Sequence, residues 1–372
     1  MKGTPVTSVR KTRVAIVFGG RSTEHAISCV SAGSILAALD TDEYEIVPVG
    51  ITRAGRWVLT TGDGSQLAIT DRQLPEITDR SGAAVVLPAD PTGNGIMVLD
   101  PADGPAVALA GVDVVFPALH GAYGEDGTIQ GLLEMAGIPY VGAGVFASAA
   151  AMDKEFTKKL ATVEGIPTGP YAVLRAGVSL SDADKERLGL PVFVKPSRAG
   201  SSYGITKVSD WADLDAAVAT AREIDPKVLV EAAIVGREVE CGVIEGEAGG
   251  GPEASLLAEV RVVTDHEFYD FEAKYLDNSC EYDIPAALPP DVTRQVQEYA
   301  CRTFTALDCA GLARVDFFVT DDNQIYLNEI NTMPGFTPTS MFPRMWSAAG
   351  LEYPKLVDRL IRTALNRGTG LR

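Results

Sequence analysis

The chain has 372 residues, 46% of them hydrophobic, which is long and apolar enough for two or three domains that each bury a core. Its formal net charge of −18 argues against a nucleic-acid partner, because such affinity comes largely from Lys and Arg neutralising phosphates. No apolar run approaches the ~18–20 residues of a membrane-spanning helix, and the polar N-terminus lacks the apolar core of a secretory signal, so a cytoplasmic protein is expected.

Val14 to Phe18 reads as a short buried strand ending at Gly19-Gly20, His25 to Leu39 as an amphipathic helix, and Tyr44 to Val49 as a second strand. That order is a βαβ unit and predicts a parallel sheet at the start of the chain. The stretch from Gly62 to Gly104 reads as ordinary loops and a small strand pair. A further buried strand, Val112 to Ala118, ends at Leu119-His120-Gly121. A second unit begins near Gly142, with a helix through Met152-Asp153-Lys154 to Val163 and strands at Tyr171–Leu174 and Val192–Lys195. The third opens with Val228–Glu231, runs through further strands to a hairpin (Ala313–Val319, Ile325–Ile330), and closes with a helix from Tyr353 to Leu365. The expected architecture is an α/β domain over 1–142 and two α+β lobes over 143–231 and 232–372. Cys29, Cys241, Cys280, Cys301 and Cys309 are scattered and lack CxxC spacing, which fits small residues in a reducing cytosol better than zinc or a disulfide framework.

The hairpin carries the strongest chemistry. Centring its turn between Asp322 and Asn323 sets Asp316 opposite Glu329 and Arg314 opposite Asn331, all on one face. Two carboxylates and an amide oxygen suit Mg²⁺, which completes its shell with substrate phosphates. The competing reading is a surface hairpin with cross-strand ion pairs worth ~0.2–1 kcal/mol each. Asn331 to Gly335 then forms a Gly/Pro loop able to bring N–H groups to an anion.

Lys195, at the end of an apolar strand, leads into the Gly/Ser-rich run to Gly204, which suits phosphates but is also a common surface turn. It lacks the GxxxxGK[ST] pattern. Lys154 offers a second cation or a solvated lysine. Glu231 with Ala232-Ala233-Ile234 can face an adenine edge, and Glu238 ribose hydroxyls, although alone these carboxylates read as solvated or salt-bridged. Glu24 stands at a helix N-terminus, as a dipole-favoured cap or as a partner for a substrate ammonium. Gly142 to Ala147 matches GxGxxA, but it lacks the long preceding strand and the acidic residue of a dinucleotide site.

Together these segments resemble the D-alanine–D-alanine ligases of the ATP-grasp superfamily. The resemblance is carried by Phe18 to Glu24, His120 to Gly127, Met152 to Lys154, Lys195 to Gly204, Phe268 to Tyr275 and Arg314 to Gly335. These lie in the family's order and span about Arg13 to Leu365. It implies an ATP-grasp fold whose two lobes clamp ATP, and a reaction through an acyl phosphate of the first D-alanine that the second D-alanine's amine attacks. Lys154, Lys195 and Ser201 would hold phosphates. Glu231, Ala232, Ala233 and Ile234 would meet adenine, Glu238 the ribose, and Phe268, Lys274, Asn328 and Glu329 would complete the ATP contacts.

By the same resemblance, Asp316, Glu329 and Asn331 would bind two Mg²⁺ ions, or Mn²⁺ in their place; a monovalent cation is allowed by the resemblance but not required by it. Glu24 would pair with the first ammonium, and His120 would line that side unless it is a satisfied structural residue. Arg314 and the Gly335 N–H would face the oxyanion, and Ser340 and Met341 the second carboxylate. Tyr275 would join Ser201 and Glu24 to close a lid, and it favours a dipeptide over the D-alanine–D-lactate product of related ligases. Ala199 and Tyr203 depart from the family's loop. The resemblance also implies a homodimer working in peptidoglycan precursor synthesis. The alternatives are a depsipeptide ligase and a nucleotide-binding regulator without turnover.

Overall fold

The computed structural model describes residues 10–70, 73–93, 95–99, 107–108, 111–200, 203–262 and 280–370. Within these, the first sheet has the order β6-β5-β4-β3-β2-β1-β7, from β1 (Thr12–Gly19), β2 (Tyr44–Ile51), β3 (Trp57–Leu59), β4 (Ala83–Val86), β5 (Met97–Leu99), β6 (Val107–Ala108) and β7 (Val114–Ala118). β1 pairs in parallel with both β2 and β7, as the βαβ order predicts. β3 to β6 add an antiparallel ribbon, in which β4 and β5 are the small strand pair expected between Gly62 and Gly104, flanked by β3 and β6 outside that stretch.

Helix α1 (His25–Ala38) is rich in small residues and buries on several sides, which lets it lie between this sheet and the C-terminal helix. At its entry Gly19 has φ +86°, and a Cβ there would stand 2.4 Å from the Ile51 carbonyl oxygen, so the sharp exit from β1 needs glycine. α2 (Thr128–Ala136), α3 (Val145–Met152) and α4 (Lys154–Val163) follow β7.

The second sheet is antiparallel, in the order β10-β9-β11-β8, from β8 (Tyr171–Leu174), β9 (Val192–Pro196), β10 (Thr206–Val208) and β11 (Val228–Ala232). Helices α5 (Asp182–Leu188) and α6 (Leu214–Arg222) supply its core partners, among them Leu188, Leu214 and Val218. The third sheet, β14-β13-β12-β15-β16, comprises β12 (Arg237–Ile244), β13 (Glu253–Val262), β14 (Cys280–Asp283), β15 (Leu312–Val319) and β16 (Ile325–Asn331). Val239, Cys241, Val315, Phe317 and Leu327 alternate onto one face, where α7 (Pro290–Ala306) and Ala150, Ala151 and Ala161 of α3 and α4 cover them. Period-two alternation sends Glu238, Glu240, Arg314 and Asp316 to the opposite face. Helices α8 (Met341–Ala348) and α9 (Tyr353–Arg367) return to the first domain, where Leu356, Leu360 and Trp346 share a core with Phe18, Ile35 and Phe116.

Asp316 pairs with Glu329 and Arg314 with Asn331, the register expected from sequence. The route to that register differs. The turn is a three-residue loop, with the Thr320 N–H donating to the Gln324 carbonyl at 3.0 Å and Asn323 left-handed at φ 62°. Phe317 therefore pairs with Leu327, and the ladder shifts by one between Asp316 and Phe317. Asn328 is the extra residue of this bulge. Strict alternation from buried Ile325 and Leu327 would turn Glu329 into the core. The bulge instead leaves both Asn328 and Glu329 half-buried outside it.

Among the described residues, no helix is long and apolar enough to cross a membrane. Cys29, Cys241, Cys301 and Cys309 are free thiols.

Candidate active site

The exits of the parallel strands β1 and β7 form one wall of a cleft of about 240 Å³ lined by Glu24, His120, Glu125, Arg314, Gly335 and Ser340, among others. Ligands favour this carboxyl edge of a parallel sheet. Ser22 Oγ donates to the His120 carbonyl at 2.7 Å, locking the two exits together. Glu24 occupies the N-cap position of α1, yet its side chain does not cap the helix. Its carboxylate reaches across to Gly121 and Gly200: a Cβ at Gly121 would lie 2.6 Å from Glu24 Oε2, and one at Gly200 3.4 Å away. The cap reading therefore gives way to a carboxylate facing the cleft.

His120 is 4% exposed, and both ring nitrogens are used: Nδ1 lies 2.9 Å from the Met333 carbonyl and Nε2 2.9 Å from Ser31 Oγ. Donating to the first and accepting from the second fits a neutral imidazole, and burial lowers its pKa against the opposing pull of Glu24 and Met333. His120 is a satisfied residue that lines the cleft and holds the Met333 segment. Glu125 was not among the expected site residues. Its Oε2 accepts the Gly121 N–H at 2.6 Å and its Oε1 the Met333 N–H at 3.0 Å. Loss of hydration, then the Glu24 carboxylate, push its pKa up to about 8.

The third sheet forms the floor. Arg314 Nε and Nη2 donate to Asp316 Oδ1 and Oδ2 at 2.8 and 2.7 Å, and Nε lies 3.2 Å from Glu240 Oε2. Asn331 Nδ2 donates to Asp316 Oδ2 at 3.1 Å, and Lys154 Nζ stands 3.4 Å from Glu329 Oε2. Glu240 is a second residue the sequence reading missed. It stands directly beside Asp316 across β12 and β15, and its spacing of two from Glu238 was the available signal. Glu329 and Asn331 line the cleft and Asp316 stands beside them in the ladder; their hard, half-buried oxygens fit a divalent ion whose shell is completed by phosphate oxygens. Among the described residues no cluster of three or more His, Cys, Asp or Glu side chains forms a metal cage, so ligand oxygens would have to finish the shell.

Towards the second sheet, Lys195 Nζ lies 2.5 Å from Glu231 Oε2, and Lys158 Nζ, one turn beyond Lys154 on α4, lies 3.2 Å from Glu231 Oε1. Lys154 Nζ also donates to the Ala199 carbonyl at 2.8 Å. The loop after Lys195 is tied down behind, where Ser197 Oγ donates to Asp153 at 2.8 Å and Lys227 bridges Asp153 and Glu155. The Ala232 and Ala233 amides already donate to the Pro170 and Pro191 carbonyls, both at 3.0 Å, so these two N–H groups are spent on the fold. Ile234 and Glu238 are half-buried beyond them.

Opposite Glu24, Gly335 and Thr337 lead to Ser340, the N-cap of α8, and Met341 is its first residue. The positive end of that helix dipole suits a carboxylate, a feature the sequence reading did not place there. Ser201, Phe268, Lys274 and Tyr275 lie outside the described residues.

Residues 13–143 match the family model described as D-ala D-ala ligase N-terminus, and residues 160–362 that described as D-ala D-ala ligase C-terminus. A D-alanine–D-alanine ligase of Mycobacterium avium is 61% identical over 368 residues, covering 98% of this chain and 99% of that protein. A solved D-Ala:D-Ser ligase from Enterococcus faecalis gives a TM-score of 0.81 at 34% identity, over 95% of this chain and all of that one. The D-alanine–D-alanine ligase structure from Coxiella burnetii gives 0.79 at 34% identity, over 96% of each chain.

Proposed function

The chain belongs to the D-alanine–D-alanine ligase family, and from this premise we infer how its cleft carries out the reaction. The fold is ATP-grasp, and the activity is the ATP-dependent joining of two D-alanine molecules with use of a divalent metal. The observation that carries the mechanism is the opposed pair Asp316 and Glu329, with Arg314 on the same face, across a cleft from Glu24.

Glu24 would take the first D-alanine's ammonium, turning its carboxylate towards the floor. A carboxylate oxygen attacks the terminal phosphorus of ATP, the bond to the bridging oxygen breaks, and ADP leaves. Lys154 and Lys195 would hold the phosphates in line and offset their charge. Asp316, Glu329 and Asn331 would hold two ions, Mg²⁺ or Mn²⁺, which when bound neutralise phosphate charge. The second D-alanine would seat its carboxylate at Ser340 and Met341 on the α8 N-terminus. Its neutral amine attacks the acyl carbon, phosphate departs with the C–O electron pair, and the nitrogen releases one proton to solvent as the amide forms. Arg314 and the Gly335 N–H would face the oxyanion that forms between these events.

Residues 1–142, 143–231 and 232–372 would be the three working units, in a cytoplasmic homodimer supplying peptidoglycan precursors. Comparing D-alanine, D-serine and D-lactate as acceptors across pH tests the product assignment. An amine must lose its proton to attack and a hydroxy acid need not, so dipeptide formation should rise with pH and exceed depsipeptide at neutrality. Preferential depsipeptide formation at neutral pH would overturn it.

A further inference from the structure

Lys158 has no role in the chemistry above, yet it is among the least exposed charges in the molecule, at 2%. It projects from α4 with its ammonium 5.8 Å from the Tyr171 ring centroid and 3.2 Å from Glu231 Oε1. Glu231 is itself 9% exposed, and its Oε1 has no hydrogen-bond partner of good geometry. The ammonium thus neutralises that oxygen as an ion pair at 3.2 Å and leaves it a further lone pair with which to accept. The other oxygen is held by Lys195, a cation at the start of the phosphate loop.

We propose that Lys158 is a positioning residue that sets base specificity: its buried ammonium keeps Glu231 an ionised, acceptor-only carboxylate facing the base, so that a 6-aminopurine nucleotide is taken and a 6-oxopurine nucleotide refused. The proposal rests on the reading of Glu231 as the base contact. An exocyclic amine donates to an ionised carboxylate, whereas the carbonyl oxygen of a 6-oxopurine meets it lone pair against lone pair. That mismatch leaves a buried polar group unpaired, the strong way for a site to discriminate.

Two lysines share the task unequally. Once phosphates draw Lys195 away, Glu231 depends on Lys158. Burial pushes the Glu231 pKa up, and Lys158 and Lys195 outweigh burial to bring it below its ordinary value. Without Lys158, and with Lys195 on phosphate, burial favours a protonated carboxyl, which can donate to a 6-oxo group and so erases the discrimination.

The test is competition binding of ADP and GDP, with D-alanine-dependent turnover on ATP and GTP, for the wild type, Lys158→Met, Lys158→Gln, Lys158→Arg and Glu231→Gln. Lys158→Met and Lys158→Gln should each collapse the ADP-over-GDP preference at least tenfold, with the KM for D-alanine within twofold of wild type. Lys158→Arg should restore most of the preference. A purely structural lysine would weaken both nucleotides alike. Equal losses for ADP and GDP, with Glu231→Gln still collapsing the preference, would overturn the role of Lys158. An unchanged preference in Glu231→Gln would instead overturn the base contact on which the proposal stands. If Lys158→Met melts below the assay temperature, Lys158→Gln read in the cold decides between the same outcomes.

Discussion

The Met333 N–H donates to Glu125 Oε1 at 3.0 Å, tying a loop at the exit of β7 to the end of β16 across 208 residues. The same carboxyl takes the Gly121 N–H on its other oxygen at 2.6 Å. Glutamine offers only one acceptor oxygen, so Glu125→Gln must turn an amide NH₂ against one of these donors. Leaving one buried donor unmet costs ~1–3 kcal/mol. We expect a fall of roughly five- to a hundredfold in kcat/KM for D-alanine, with the KM for ATP little changed, measured by steady-state kinetics.

Glu125 also sets a pH dependence. Its pKa rises from 4.5 to about 8 on folding, so the native state holds a proton that the unfolded chain has released. The stability from that proton is fully present below about pH 4.5 and is lost as pH rises through about 8. Thermal melts across that window should show the wild type losing more stability with rising pH than Glu125→Gln, whose side chain does not titrate. Parallel curves for the two proteins would contradict this.

Gly121 has φ +73°, and a Cβ there would stand 2.6 Å from Glu24 Oε2. Gly121→Ala therefore adds about 1–2 kcal/mol of backbone strain and displaces the carboxylate that would receive the first ammonium. The expected outcome is a raised KM for D-alanine with nucleotide binding unchanged, seen by substrate titration and calorimetry.

Lys227 bridges Asp153 and Glu155, and all three side chains are buried. Lys227→Met takes the cation from buried Asp153, whereas Glu155 keeps Lys159 and Arg175, and should cost about 3–5 kcal/mol, read as a lower denaturation midpoint. Because Asp153 also holds Ser197 in the loop after Lys195, nucleotide affinity should fall with it.

Arg314 and Glu329 share a face but not a role. Arg314→Ala should lower turnover by about 10²–10³ while ATP affinity stays near wild type, the mark of a group that acts at a developing oxyanion. Glu329→Ala should lose metal-dependent ATP binding as well. Equal, mild effects would return the hairpin to a surface reading.

The residues read from the sequence were those whose neighbours along the chain gave them away. Asp316 and Glu329 announced each other through strand alternation and a turn of countable length. The bulge at Asn328 was invisible because a one-residue insertion has no composition signal, and here it offset a half-residue error in the assumed turn centre. Lys158 and Glu125 were missed for another reason. Each is a charge whose burial and partners come from distant segments, Glu231 for one and Met333 for the other. His120 was legible as a candidate, but only its two hydrogen bonds mark it as a satisfied imidazole.

On the proposed mechanism, the hairpin face assembles an acyl phosphate from a D-alanine carboxylate. Turnover with D-alanine labelled with ¹⁸O in its carboxylate, followed by mass analysis of the released phosphate, tests this most directly. Transfer of label from that carboxylate into each phosphate, matched by one dipeptide formed, is the predicted result. Unlabelled phosphate, whether or not ATP is consumed, would contradict it.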